Sequence, residues 1–324
     1  MCTAVSFKTR DHYFGRNLDL EYALDEAVVV MPRRYPLDFR HMPQLNTHLS
    51  MIGTATVIDG QSLYYDATNE TGLSIAALNF PQNAYYPPIK PSGINIAPFE
   101  LIPFLLAQCS CVSQARVLLG RVTLAAIPFS EALPLTPLHF LISDKDESIV
   151  VEPIKDGLKI YDNPTGILTN NPPFDAQLAH LSRFAALSSC DPENHLDPLL
   201  NLSPCSRGTG AIGLPGDLTS ASRFVRAVFH KAHSLCGDTS EESVTQFFHI
   251  LASVAHTRGS VMVGDLPEIT VYSSCCDTKR GIYYYTTYEN SQISAIDMRK
   301  ENLDGNALSV FPLIRRQQFL RLNE

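Results

Sequence analysis

The chain has 324 residues, 45% of them hydrophobic and 18% charged, so it is long enough to bury one large core. Its formal net charge of −8 argues against a general nucleic-acid binder, because such proteins need a basic face that releases counterions from phosphates. The longest apolar stretch, residues 96–112, is interrupted by Glu100 and two prolines, and no basic segment followed by an apolar core opens the chain. We therefore expect one globular domain over residues 1–324, with neither a recognisable secretion signal nor a membrane span.

The eight cysteines are sparse for a chain of this length. Without a secretory segment, reduced thiols in the cytosol explain them better than disulfides, which predicts a cytoplasmic protein. Cys109/Cys111 and Cys275/Cys276 lack the spacing of zinc ligands, so no metal site is expected. Residues 208–213, GTGAIG, match a dinucleotide-binding spacing, but no strand precedes them and no helix follows. We read them as a loop and predict no cofactor.

Apolar periodicity predicts a first third rich in β-strands. CTAVSFKTR alternates between two faces, Asp11 and His12 make a turn, and HYFGRNLDL returns, which together form a hairpin. Three further strands are predicted in LSMIGTATVID, QSLYYDA and GLSIAALNF.

The rest of the chain mixes helices and strands. Helical spacing occurs in APFELIPFLLAQ, VSQARVLLGRV, FDAQLAHLSRFAAL, ASRFVRAVFHKAHSL and EESVTQFFHILASVAH, the last two of which follow Ser or Thr residues able to cap them. Strands are predicted in LHFLISD, SIVVEPI, ITVYSSCCD, GIYYYTTY and ISAIDM. Strands at both ends with helices between them predict an α+β fold of two packed sheets covered by helices, with the terminal segments meeting in the middle.

Cys2 follows the initiator methionine, which is readily trimmed before a small residue. Trimming would leave the thiol and a free α-amine on one residue. The amine has an ordinary pKa of about 7.7–8.0 and the thiol about 8.5, so the amine can take the thiol's proton near neutral pH. By itself this signal is weak, because the same cysteine can be a small strand residue.

A polar cluster on the returning strand strengthens this interpretation. The predicted hairpin brings Arg16, Asn17 and Asp19 beside Cys2. Arg16 can favour the thiolate through its positive charge, and Asp19 can accept a hydrogen bond from the α-amine. Strand parity places residues 16 and 19 on opposite faces, so we expect a bend or bulge near Asn17–Leu18 if both reach Cys2.

Five separated motifs resemble, in order and spacing, the landmarks of the choloylglycine hydrolases, a family of bile salt hydrolases and penicillin V acylases. The motifs are MCTAVSF, YFGRNLD, NETGLSIAALNFP, ILTNNPPFD and PGDLTSASRFVR. The resemblance covers nearly the whole chain. It implies an N-terminal-nucleophile hydrolase with a four-layer αββα fold, which cleaves an amide through a thioester acyl-enzyme.

The resemblance also implies roles for residues near the start of the chain. Cys2 matches the nucleophile and base, and Arg16 and Asp19 match its activating neighbours.

Three further matches lie later in the chain. Asn170 matches the side-chain donor of the oxyanion hole, Asn79 its second position, and Arg223 the remaining arginine of the family. The chemistry independently requires fixed donors at a tetrahedral oxyanion. Without the resemblance, Asn170 and Asn171 would be read as a turn before Pro172.

Substrate choice within the family depends on the pocket. Penicillin V acylases tend to carry Tyr where this chain has Asn79, which favours bile salts. Apolar residues at or near pocket positions of the family are Leu20, Leu24, Tyr65, Leu133 and Leu135. Tyr65 and Leu24 can instead belong to the core.

Three hypotheses therefore stand. The first is an amidase acting on conjugated bile salts, which would release glycine or taurine. The second is an amidase acting on penicillin V or acyl-homoserine lactones with the same residues. The third is a non-catalytic binder, which would tolerate retention of Met1. We favour the first. The family resemblance further implies a homotetramer. The acidic net charge and the interrupted apolar stretch predict no nucleic-acid or membrane partner.

Overall fold

A computed structural model describes residues 1–323. Its strands are β1 (Cys2–Lys8), β2 (His12–Leu20), β3 (Ala27–Met31), β4 (Met51–Ile58), β5 (Gln61–Asn69), β6 (Ser74–Asn79), β7 (Ile94–Ile96), β8 (Val122–Leu124), β9 (Leu138–Ser143), β10 (Ser148–Ile154), β11 (Gly157–Asp162), β12 (Ile167–Leu168), β13 (Met262–Val263), β14 (Leu266–Pro267), β15 (Ile269–Asp277), β16 (Ile282–Thr287), β17 (Asn290–Asp297) and β18 (Ser309–Pro312). Its α-helices are α1 (Leu101–Gln108), α2 (Val112–Leu119), α3 (Phe174–Leu181), α4 (Ser220–Ala232) and α5 (Ser240–Ala252). Every strand and helix predicted above is present.

Two large sheets form the centre of the fold. The first has the strand order β12-β1-β2-β15-β16-β17, and the second has the order β11-β10-β9-β6-β5-β4-β3-β18. The predicted meeting of the two ends of the chain is confirmed for β2 and β15, which pair at the middle of the first sheet. The last strand, β18, lies instead at the edge of the second sheet, where it pairs with β3.

The second sheet is buried on both faces. Val28 and Val30 of β3 belong to the core shared with the first sheet, whereas Val29 and Met31 pack with α1 in a separate core. Because both sets of side chains are apolar, β3 is a continuous apolar run without alternation. The absence of alternation explains why the sequence analysis missed this strand.

Helices α4 and α5 cover the outer face of the first sheet. Phe247 of α5 packs on Phe7 of β1, with ring centroids 6.3 Å apart. The predicted caps are present, since Thr219 and Thr239 accept hydrogen bonds from the first turns of α4 and α5. The layers are therefore helix, sheet, sheet and helix, the predicted αββα arrangement.

Two sequence-based expectations concern loops and membranes. Residues 209–211 form a single 3₁₀ turn after Gly208, which has a positive φ of 82°, so the GTGAIG segment is a loop. Within residues 1–323, no helix combines the length and the hydropathy needed to cross a membrane.

Candidate active site

The register of the first hairpin places Cys2 and Arg16 on one face of the first sheet. Cys2 pairs with Leu18, and Ala4 pairs with Arg16, so all four side chains point the same way. The guanidinium of Arg16 reaches the second sheet, where its Nη1 donates to the backbone oxygens of Tyr65, at 2.9 Å, and Ala77. The cysteine thus lies at the end of β1, at the space between the sheets.

Arg16 is fully buried, and its Nη2 has no hydrogen-bond partner among residues 1–323. Burial opposes the charge, but the nearby acidic groups, Cys2 first and then Tyr272 and Asp66, outweigh it and raise the pKa of Arg16. The guanidinium therefore stays charged and keeps one free donor beside the thiol.

Asp66 supplies negative charge near Arg16 from the second sheet. Its carboxylate accepts hydrogen bonds from the hydroxyls of Tyr272 at 2.5 Å, Tyr283 at 2.6 Å and Ser274 at 3.1 Å. Burial raises its pKa, whereas Arg16 and these hydroxyls act in the opposite direction. The sequence analysis did not single out this cluster, because Asp66 lies more than 200 residues from the three hydroxyl-bearing residues.

Asp19 points to the opposite face from Arg16, toward the helices. Its Oδ1 accepts a hydrogen bond from Thr270 at 2.6 Å. Its Oδ2 has no hydrogen-bond partner in the described part of the chain and lies 4.0 Å from Nη1 of Arg223. The predicted bulge near Asn17–Leu18 was placed on the wrong strand: β1 and β2 pair regularly, and the irregularity lies in β15, between Thr270 and Tyr272.

Asn170 links the start of β1 to the end of β6. Its Oδ1 accepts hydrogen bonds from the backbone nitrogen of Cys2 and from Nη2 of Arg223, both at 2.8 Å. Its Nδ2 donates to the backbone oxygen of Asn79 at 2.7 Å. The next residue, Asn171, contacts Pro81 instead, with its Nδ2 2.8 Å from the proline oxygen.

Arg223 approaches Cys2 from α4. Its Nη1 donates to the backbone oxygen of Cys2 and to the hydroxyl of Thr3, both at 2.6 Å. Burial lowers its pKa, an effect that Asp19 and Cys2 counteract. The structure therefore brings together all six residues proposed for catalysis: Cys2, Arg16, Asp19, Asn79, Asn170 and Arg223.

Met1 is present, so the nitrogen of Cys2 is an amide nitrogen in this structure. The α-ammonium of Met1 donates to the backbone oxygen of Asp19 at 2.8 Å and to Oε2 of Glu268 at 2.5 Å. Sequence reasoning missed Glu268, because its proximity to Met1 depends on the pairing of β2 with β15.

Two of the predicted pocket residues, Tyr65 and Leu24, are connected through Thr56. Tyr65 borders the site through its backbone contact with Arg16. Its hydroxyl is 2.9 Å from the hydroxyl of Thr56, which donates to the backbone oxygen of Leu24 at 2.7 Å. Leu20 ends β2, one residue after Asp19, and packs at the edge of the core between the sheets.

Leu133 and Leu135 lie on the irregular segment between β8 and β9, and 36% and 38% of their surfaces are exposed. The end of this segment is adjacent to Asn79, since the backbone nitrogen of Phe80 donates to the oxygen of Pro137 at 2.7 Å. The loop therefore borders the proposed oxyanion residues.

This αββα fold, with a cysteine on the first strand between its sheets, defines the class of N-terminal-nucleophile hydrolases. Solved structures agree: a conjugated bile acid hydrolase from Clostridium perfringens matches with a TM-score of 0.91 and 37% identity, covering 100% of both chains. A penicillin V acylase from Agrobacterium tumefaciens matches with a TM-score of 0.76, covering 96% of this chain and 91% of the acylase chain. The two sequences are only 19% identical, so this match shows a shared fold and nothing about activity.

Sequence comparison defines the family. Residues 2–311 match the choloylglycine hydrolase family of linear amide C–N hydrolases. The chain is 49% identical to a bile salt hydrolase/transferase of Lactiplantibacillus plantarum over 100% of both chains. It is 40% identical to the bile salt hydrolase/transferase of Clostridium perfringens over 96% of both. The chain belongs to the choloylglycine hydrolase family and is an amidohydrolase that acts on linear amides.

Proposed function

We propose that this enzyme hydrolyses the amide bond of bile salts conjugated to glycine or taurine, with Cys2 as its nucleophile after removal of Met1. The names of its relatives support the substrate class. One observation carries the mechanism. Beside Cys2, Arg16 has a buried donor and Asp19 a buried acceptor, and neither has a hydrogen-bond partner within the described residues. Buried polar atoms are seldom left unpaired, so these two are suited to groups that appear only in the trimmed, substrate-bound enzyme.

The first step requires a free α-amine on Cys2. In the trimmed chain, its N–H groups can donate to Oδ1 of Asn170, which already accepts from this nitrogen, and to the unpartnered Oδ2 of Asp19. The lone pair of the amine then remains free to take the thiol proton, directly or through a water. The charges of Arg16 and Arg223 favour the resulting thiolate.

The thiolate attacks the amide carbon of the substrate and gives a tetrahedral oxyanion. Asn170 supplies a side-chain donor from Nδ2, and Asn79 forms the second position of the oxyanion hole. As this intermediate collapses, the α-amine of Cys2 gives the proton that it took from the thiol to the departing nitrogen. Glycine or taurine is released, and a thioester remains on Cys2. Water, activated by the same α-amine, hydrolyses the thioester and releases the bile acid.

The pocket is proposed to hold the steroid between two apolar groups. Leu20, Leu24 and Tyr65 form one side, and the loop with Leu133 and Leu135 forms the other. A steroid presents a wide apolar surface, whereas a phenoxyacetyl group is small and needs less of such a wall.

The test begins with intact mass, which reports whether Met1 has been removed. Trimmed protein is then assayed for release of glycine from glycocholate, taurine from taurocholate and phenoxyacetate from penicillin V. We expect bile-salt turnover to dominate. Dominant phenoxyacetate release would instead assign the protein to the acylase branch of the family.

Two variants test the nucleophile. Cys2→Ser should fold but lose nearly all activity, because a hydroxyl is a much poorer nucleophile at this basicity. An N-terminal extension that resists trimming should abolish activity with Cys2 still present. Full activity in either protein, after its mass is confirmed, would refute the mechanism.

We also propose that the enzyme is a cytoplasmic homotetramer. Exposed apolar side chains on the Pro-rich loop before β7, Tyr85 and Ile89, are compatible with packing between subunits. All eight cysteines are free thiols, in keeping with a reducing compartment. Light scattering coupled to gel filtration tests the tetramer, and a monomeric mass would exclude it.

A further inference from the structure

His139 is a fully buried histidine of β9 that extends from the second sheet to the first. It pairs with Leu78 of β6, whose side chain belongs to the core between the sheets, so the imidazole points into the same space. Its Nε2 lies 2.8 Å from the backbone oxygen of Thr169, just after β12 of the first sheet. Because a backbone oxygen can only accept, Nε2 carries a hydrogen and donates it. The histidine therefore bridges the two sheets at the residue before Asn170.

Glu152 of β10 holds the other side of this ring. Its Oε1 is 3.1 Å from Nδ1 of His139, and it accepts a hydrogen bond from the backbone nitrogen of Phe174, the first residue of α3, also at 3.1 Å. Neither His139 nor Glu152 is exposed to solvent. Both ring nitrogens are thus engaged, which fixes the orientation of the imidazole and the direction of its Nε2–H.

The face of the same ring supports Asn79. The next residue, Phe80, stacks on the imidazole with ring centroids 4.3 Å apart and planes 6° from parallel. Asn79 and Asn170 are 91 residues apart in the sequence, yet Nδ2 of Asn170 lies 2.7 Å from the backbone oxygen of Asn79. The ring face of His139 therefore supports the strand end that carries Asn79, and its Nε2–H supports the segment that carries Asn170.

We propose that His139 is a positioning residue for both members of the proposed oxyanion hole. It holds Asn170 through the oxygen of Thr169, and it holds Asn79 through the ring of Phe80. This inference rests on the oxyanion roles of Asn79 and Asn170 in the proposed function. Donors stabilise an oxyanion best when their positions are fixed before the reaction, so their support affects the transition state more than substrate binding.

Asn170 has two further supports, which come from helices. Its backbone nitrogen donates to the hydroxyl of Ser220 in α4 at 2.8 Å, and its backbone oxygen accepts from Nε2 of Gln177 in α3 at 2.7 Å. Loss of the contact between His139 and Thr169 should therefore displace Asn170 relative to Asn79 without releasing the whole segment. We expect a lower rate in a folded enzyme.

Two substitutions separate the roles of the two ring nitrogens. Glutamine can place its amide donor near the position of Nε2 and keep the contact with Thr169. Asparagine is shorter, so its amide reaches the position of Nδ1 and keeps the contact with Glu152. Both remove the ring that stacks on Phe80. We expect kcat for glycocholate to be about tenfold or more lower in His139→Asn than in His139→Gln, with KM in both within about threefold of the wild type.

Stability should follow the opposite order. His139→Gln leaves Glu152 with one hydrogen bond, from Phe174, since its Oε2 has no partner among residues 1–323. A buried carboxylate with fewer partners is unfavourable, so His139→Gln should have the lower melting temperature. If His139 acted only through stability, His139→Gln would also be the less active variant. That order of kcat, or equal kcat in the two variants, would overturn the inference.

His48→Asn is the matched control. His48 is also buried, and its ring nitrogens lie 2.8 and 2.9 Å from the backbone oxygens of Leu49 and Tyr35, in the segment between β3 and β4. This variant should keep kcat within about twofold of the wild type, even where its melting temperature falls. A loss of kcat as large as that in His139→Asn would contradict a specific role for His139.

Crystal structures of the two variants provide a readout that does not depend on turnover. The distance between Nδ2 of Asn170 and the backbone oxygen of Asn79 should lengthen by about 0.5 Å or more in His139→Asn and stay unchanged in His139→Gln. A wild type that does not hydrolyse glycocholate would refute the proposed function, and this distance would still test His139. Hydrolysis by the wild type with the same distance in both variants would refute the inference alone.

A further variant covers failure of either histidine variant to fold. Phe80→Leu removes the stacked ring and leaves both polar contacts of His139 in place. We expect kcat to fall by about fivefold or more while KM stays unchanged, because Asn79 loses its support. An unchanged kcat in Phe80→Leu would overturn the inference for the Asn79 side.

Discussion

Arg223 and Asn170 meet on a single oxygen. Nη2 of Arg223 donates to Oδ1 of Asn170 at 2.8 Å, and the backbone nitrogen of Cys2 donates to the same oxygen at the same distance. Because a guanidinium can only donate, this contact fixes which end of the amide is oxygen. Nδ2 of Asn170 must then face Asn79, where the proposed oxyanion forms. The arginine thus fixes the orientation of the Asn170 amide.

Replacing Arg223 with lysine tests this relationship. Lysine keeps the charge but cannot reproduce a planar fork that reaches Asn170, Cys2 and Thr3 together. We expect kcat for glycocholate to fall by about a hundredfold or more, the typical cost of losing one oxyanion donor. Arg226→Lys is the control.

Arg226 lies one turn further along α4. Its hydrogen bonds within residues 1–323 all go to backbone oxygens, those of Ser253, Pro215 and Asp217. Arg226→Lys should therefore change kcat by less than about fivefold, even where it lowers the melting temperature. Equal losses of kcat in Arg223→Lys and Arg226→Lys would show that Arg223 acts only through stability.

The donor itself is tested by Asn170→Asp. The aspartate keeps an acceptor for Cys2 but loses Nδ2 and places a negative charge near the developing oxyanion. We expect kcat to fall by at least about a hundredfold while KM changes little, because this interaction strengthens in the transition state. The adjacent Asn171→Asp, which alters the contact with Pro81, should lose much less. A larger effect at Asn171 than at Asn170 would contradict the assignment.

Much of this site could be predicted because its first part is local. The turn after β1 returns the chain directly, so the pairing of Ala4 with Arg16 follows from the hairpin alone. Asn170 and Arg223 were identified only from the family motifs. An asparagine before a proline is ordinary in a turn, and an arginine is ordinary on a helix, so neither residue indicates catalysis by itself.

The remaining features depend on distant contacts. Glu268 contacts Met1, 267 residues away in the sequence, only because β15 pairs with β2. The bulge was assigned to the wrong strand. Strand parity shows that the side chains of residues 16 and 19 point to opposite faces, but it does not show which of two paired strands carries the extra residue. Strand β3 was missed because burial on both faces removes the alternation that indicates a strand.

His12 makes stability depend on pH. It is buried between the sheets, where Nε2 lies 3.0 Å from the Ser6 hydroxyl and Nδ1 lies 3.0 Å from that of Thr278. Burial, partly offset by Asp144, lowers the pKa of His12 from 6.5 to about 4. Between those values the unfolded chain binds the extra proton, so the free energy of unfolding falls as pH drops through this window.

The shifted pKa of His12 changes the free energy of unfolding by about 3 kcal/mol in full, because one pKa unit corresponds to about 1.4 kcal/mol. Urea unfolding of the wild type and of His12→Gln at pH 7 and pH 4.5 measures it. The difference in free energy of unfolding between the two proteins should be smaller at pH 4.5 than at pH 7, or should change sign. Only the wild type loses the contribution of a neutral His12 as the pH falls. A difference that does not change with pH would show that His12 is not held neutral.

The last prediction concerns substrate choice and rests on the loop that carries Leu133 and Leu135. More than a third of each side chain is exposed, which leaves apolar surface for a ligand to cover. Wild-type kcat/KM for glycocholate should exceed that for penicillin V by well over tenfold, because burying a steroid at about 25 cal/mol per Å² adds several kcal/mol of transition-state binding. Leu135→Ser should lower bile-salt kcat/KM by about tenfold, while slow penicillin V cleavage stays within about twofold, since the phenoxyacetyl group is too small to need this wall. Leu196→Ser, at a leucine that is 83% exposed, is the matched control and should leave both substrates unchanged. Equal losses on both substrates in Leu135→Ser would show that the loop supports the site as a whole and does not select the steroid.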